Sequence, residues 1–114
     1  MGRHLIAALI LIAASTEAVT AQDARSYVGI WTGRTLTGQT IQIEIPAGIA
    51  QGQPVTYFFN GQQQEPQTPV LTGERIRLSS SGSSYILLGP VEGNSMRYVR
   101  TSGQSQALAT LTKQ

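Results

Sequence analysis

Cysteine is absent from the 114 residues, and the single histidine, His4, lies at the extreme N-terminus. Without thiols there is no disulfide staple and no thiolate chemistry. Without a histidine beyond position 4, the Ser-His-Asp and Cys-His nucleophile systems are excluded, as is zinc held by nitrogen and sulfur ligands. Lysine is nearly missing too: Lys113 stands alone, and no glycine-rich phosphate loop runs into a lysine. Charge is sparse, with a net of +2. That is far from the dense basic stripe by which nucleic-acid binders neutralise phosphates, so no nucleic-acid partner is expected. The carboxylates Glu44, Glu65, Glu74 and Glu92 are scattered over separate segments. A glycosidase needs two of them converging across a cleft. The inventory therefore predicts a protein that is not an enzyme and takes no cofactor or metal.

Long apolar runs are also missing, with one short exception. Met1-Gly2-Arg3-His4 gives a cationic start, Leu5 to Ala14 is unbroken apolar chain, and Ala18-Val19-Thr20-Ala21 offers small side chains to a peptidase. A membrane-spanning helix needs roughly twenty such residues, and a signal peptide about half that. The pattern predicts a signal peptide over residues 1–21, cleaved after Ala21 with Ala18 as second choice. No cysteine follows either site, which argues against a lipid anchor. Residues 22–26 are expected to form a flexible lead and 27–114 a single domain with no membrane span. Periplasmic or secreted localisation follows, the bacterial style of the leader favouring periplasm. A mature chain of 114 less 21, or 93, residues lies near the lower limit for an unstapled core, so closing a sheet on itself must supply the stability.

What is present is a rhythm of short apolar runs and turn signals, the pattern of antiparallel β structure. Tyr27 to Arg34 reads as a first strand. In Thr40 to Ile45 the three isoleucines alternate with Thr40, Gln42 and Glu44, a half-buried strand of period two. Pro54 to Phe59 precedes Asn60-Gly61, the strongest hairpin signal in the chain. Gln62 to Thr68 is polar and proline-bearing, an edge segment leading to Val70-Leu71. Arg75 to Ser79, Tyr85 to Leu88, Met96 to Arg100 and Ala107 to Thr112 complete the set. The expected fold is all-β: a single small antiparallel up-and-down β-barrel or barrel-like sandwich of about eight short strands. Strands this short leave an interior filled mostly by their own side chains. Along the strands, Arg97 and Arg100 should point to opposite faces, so they cannot share one outward patch with Arg75 and Arg77. Phe58 should lie opposite Tyr57 and Phe59 and stay partly exposed.

Two stretches carry more individual character. Tyr27, Gly29, Trp31 and Gly33 fall on one strand face, with glycines beside the only tryptophan leaving room for the indole to lie flat. Gly29, Trp31 and Gly33 resemble the Gly-x-Trp-x-Gly first strand of calycin-type barrels, the lipocalin and avidin-like architectures. That resemblance implies a tryptophan plugging one barrel end, with a late-strand arginine over it, here Arg97 or Arg100. Ser81-Gly82-Ser83-Ser84-Tyr85 resembles the Ser-Gly-x-x-Tyr loop of periplasmic C-type lysozyme inhibitors. Ser81, Gly82 and Tyr85 match, and the resemblance implies an interaction loop. The second motif of that family carries Lys-Gly, where this chain has Ser102-Gly103. As plain sequence, the two stretches read as a core tryptophan with packing glycines and an ordinary serine-rich turn.

Together these features point to an exported, non-catalytic binding or interaction module. Its partner would be another protein or a small polar ligand of the cell envelope. A lysozyme-inhibitor-like protein and a small-ligand calycin-like barrel are the alternatives.

Overall fold

The computed structural model describes residues 24–114. The signal peptide and both cleavage sites lie outside the described residues. Among those described, no helix is long and apolar enough to cross a membrane.

The domain is all-β. Nine strands follow in order: β1 (Gly29–Arg34), β2 (Thr40–Ile45), β3 (Thr56–Phe59), β4 (Gln62–Gln63), β5 (Thr68–Thr72), β6 (Arg75–Ser79), β7 (Tyr85–Glu92), β8 (Ser95–Ser102) and β9 (Ser105–Lys113). Every pairing is antiparallel, and the order across the sheet is β4-β3-β2-β1-β9-β8-β7-β6-β5. Sequential hairpins build both arms, and β1 joins β9 to unite them. The sheet curls, and the run after β4 goes on pairing back along β3: the Gln64 N–H donates to the Tyr57 carbonyl at 2.8 Å, and Val55 and Gln67 exchange backbone hydrogen bonds of 2.8 and 2.9 Å. β4 and β5 are successive parts of one bent run, the first pairing with β3 and the second with β6. Pro66 falls at the bend and Pro69 within β5 removes an edge N–H, so prolines sit where ladder bonds are not needed. The result is a half-open barrel.

Alternation decides what fills it. Ile41, Ile43 and Ile45 from β2, Ile76 and Leu78 from β6, Ile86 and Leu88 from β7, Met96 and Tyr98 from β8, and Leu111 from β9 are all buried. A short 3-10 turn, Ala47–Gln51, adds Ile49. Pro46 enters it, and Gly52 ends it with a left-handed φ of 84°.

Trp31 is fully buried in the core. Its indole N–H donates to the Tyr27 carbonyl at 2.8 Å. Tyr27 is itself buried, and its phenol donates to the backbone carbonyl of Glu74 at the β5–β6 turn. Ala24 packs beneath it, so tertiary packing begins inside the segment read from sequence as a flexible lead.

The cation over the indole is neither Arg97 nor Arg100. Lys113 of β9 stands there, its ammonium 5.3 Å from the ring centroid. Trp31 pairs directly with Lys113 across β1 and β9, which puts both side chains on the same face. The flanking glycines also serve β9 rather than the indole. A Cβ on Gly33 would lie 2.5 Å from the Thr110 carbonyl oxygen, and one on Gly29 would meet the Lys113 stem at 3.5 Å.

Candidate functional site

β8 carries an anomaly. Its inward positions run Met96, Tyr98, Arg100, so an apolar stripe ends in a guanidinium. Arg100 pairs across the ladder with Ile86, a buried residue, and is therefore turned inward, while Arg97 is exposed. The alternation expected for the two arginines holds. Arg100 is half-buried, with its guanidinium carbon 5.7 Å from the centroid of Phe59. It makes no ion pair or hydrogen bond within the described residues.

Beneath it lies a pair of phenols. The Tyr57 and Tyr98 hydroxyls are 2.7 Å apart, joining β3 to β8 through the barrel interior. Burial pushes both phenols above the ordinary tyrosine range. For Tyr57, the hydrogen bond from Tyr98 and the nearby Arg100 charge offset part of that rise. For Tyr98, the hydrogen bond to Tyr57 adds to it and the charge of Arg100 opposes it. Both rings therefore stay protonated and act as a hydrogen-bonded floor.

Above this floor the wall of the barrel is split. The connection from β4 to β5 runs opposite the β6–β7 turn, and the gap between them is a cleft of about 210 Å³. Tyr57, Ile86 and Arg100 form its base, Gln64, Glu65 and Gln67 one side, and Ser80, Gly82, Ser84 and Tyr85 the other. Gln67 is buried, and its amide donates to the Glu65 carbonyl at 2.9 Å. Across the rim the Ser81 hydroxyl donates to Glu65, 2.9 Å from each carboxylate oxygen. That contact ties the serine-rich turn to the strand opposite.

The stretch that resembles an inhibitor loop thus lies on the cleft's rim. Ser81 is committed to Glu65, and Gly82 has open space around it. Tyr85 sits on the strand after the turn, with the guanidinium of Arg77 4.2 Å from its ring centroid. Gly29, Trp31 and Gly33 do not line the cleft.

A larger depression of about 540 Å³ lies across the outer faces of β1, β2 and β3, lined by Thr32, Arg34, Thr40, Gln42 and Phe58 among others. Phe58 is half-buried there, opposite Tyr57 as its strand position requires. Its polar groups project from separate strands of one sheet face and do not converge. No group of three or more His, Cys, Asp or Glu side chains that could hold a metal occurs among the described residues.

Sequence reasoning missed Glu65, Gln64, Gln67, Ser80 and Ser84 as neighbours of one site, because the split that gathers them is a tertiary feature. One signal was legible: a charged residue two places beyond an apolar i, i+2 pair, the Met96-Tyr98-Arg100 series.

Fold and cleft define a class: a small cysteine-free antiparallel half-open barrel, packed within, with a polar cleft in its wall. The chain matches no protein-family model, no curated protein and no solved structure.

Proposed function

We propose that this is an exported, non-catalytic binding module that takes a small polar ligand through a carboxylate in the β4/β6–β7 cleft. The observation that carries the reading is Arg100: a partly buried arginine at the base of a cleft, its guanidinium open to solvent there and with no anionic partner of its own. A planar fork of N–H donors is suited to bidentate contact with a carboxylate. Phe59 supports one side of that fork. Export rests on the leader pattern of residues 1–21.

The test is a titration of the mature protein with sodium acetate at constant ionic strength, followed by backbone amide shifts. Acetate should move the Arg100, Ser84 and Gln67 amides in a saturable way at millimolar concentrations, and Arg100→Met should abolish this. Uniform, non-saturating shifts in both proteins would sink the reading.

A further inference from the structure

Arg100 is not the only charge in the cleft. Glu65 lines the same space, on the opposite side, and the two do not pair with each other. Both line one cleft without forming an ion pair, each held by its own wall. Glu65 is fixed by Gln67, whose side chain bonds the Glu65 backbone, and by Ser81, whose hydroxyl bonds its carboxylate. Arg100 is fixed by the β7–β8–β9 ladder and by Phe59. An ionised carboxylate has about four acceptor positions, and one serine hydroxyl leaves most of them open toward the cleft.

We propose that the cleft selects a small zwitterion, an α-amino acid, with its carboxylate on Arg100 and its ammonium on Glu65. This rests on the carboxylate-binding reading above. A ligand bearing both charges is complementary to both walls. A dianion would be repelled at Glu65 and a simple amine at Arg100, so each wall also acts against the wrong ligand. Size points the same way. Drug-sized ligands occupy roughly 300–1,000 Å³, and about 210 Å³ admits something smaller. Ser80, Ser84 and Gln64 supply uncharged donors and acceptors along the walls.

Glycine, acetate and methylammonium are the probes, each titrated into the full mature protein at matched ionic strength and followed by amide shifts. Glycine should bind about tenfold more tightly than acetate, a difference of about 1.4 kcal/mol, and methylammonium should not saturate. Glu65→Gln, which keeps an oxygen for Ser81 to bond, should weaken glycine about tenfold and tighten acetate, moving the two ligands in opposite directions. Arg100→Met should weaken both. Arg100→Lys, which keeps the charge, serves if the methionine variant melts early. Glycine no tighter than acetate, or a preference for glycine that survives in Glu65→Gln, would overturn the zwitterion proposal and leave a plain carboxylate site. Binding of glycine and acetate that is unchanged in the Arg100 variants, or no saturable binding of either, would overturn both.

Discussion

At the scale of single residues the protein relies on a few large side chains in place of covalent staples. Trp31 packs under Lys113 with its N–H satisfied by Tyr27, so truncation opens a large void and orphans a buried carbonyl contact. Trp31→Ala should cost about 3–5 kcal/mol, read from denaturant melts. The native emission of Trp31 should be blue-shifted and move red on unfolding; a native spectrum at the solvent-exposed wavelength would contradict the burial. The Tyr57–Tyr98 pair makes a separate claim about pH. Both phenols have folded-state pKa values raised above the ordinary 10.0. Below that pH they are protonated in folded and unfolded chains alike, and their contribution is fully present. Above it the unfolded chain releases protons that the folded one retains, so stability falls as pH climbs past about 10. Tyrosinate absorbance followed beside circular dichroism should show these two rings ionising with loss of the fold, and the Tyr57→Phe, Tyr98→Phe double variant should lack that step. Ionisation of both near pH 10 with the sheet intact would refute it.

Among the elements, legibility followed whether local pattern or tertiary placement decided the outcome. β2 could be read directly, because its isoleucines alternate against polar residues and one face of the sheet is buried. β6 was legible for the same reason. β7 runs on to Glu92, past the expected end at Leu88, because the chain crosses Gly89-Pro90 with a register shift and resumes pairing at Val91. Glycine and proline signal a break locally, and only the ladder from β8 shows that the strand continues. β4 and β5 appeared as one polar edge segment, and their division between two neighbours depends on where β3 and β6 lie. The same holds for the cleft. Arg100's inward position was inferable from strand parity, whereas its approach to Glu65, far away in sequence, was not. The serine-rich turn shows what a local motif omits. Ser81 donates its only hydroxyl proton to Glu65, and Arg77 covers one face of the Tyr85 ring, so the turn's serine has no free donor for an enzyme cleft. The mature protein at a tenfold molar excess should leave a C-type lysozyme uninhibited on cell-wall substrate. Dose-dependent inhibition that disappears in Ser81→Ala would restore the inhibitory loop.

For the whole molecule, the decisive feature is how unevenly the barrel is closed. β8 and β9 pair over eight positions from Ser95–Thr112 to Ser102–Ser105, and β7 extends that ladder on the other side. Opposite them the seam is a short ladder between β3 and the 62–67 run, ending at the reciprocal Val55–Gln67 bonds where that run passes on to pair with β6. Ladder bonds flanked by other ladder bonds open only when the sheet does, whereas a short seam can open by itself. The Val55 and Gln67 amides are both committed to that seam, so they report on it directly. Native-state hydrogen exchange should therefore show them exchanging well before the amides of Tyr98 and Ala109, through an opening smaller than global unfolding. If Val55 and Gln67 were as protected as Tyr98, the barrel would be a single cooperative ring and the seam no weaker than the rest. The prediction bears on ligand binding because Gln67 and Glu65 form one wall of the cleft. A zwitterion bridging Glu65 to Arg100 would tie the weak seam to the strong β7–β9 ladder. Saturating glycine should then slow exchange at Val55 and Gln67 while leaving Ala109 nearly unchanged, and Glu65→Gln should remove that protection.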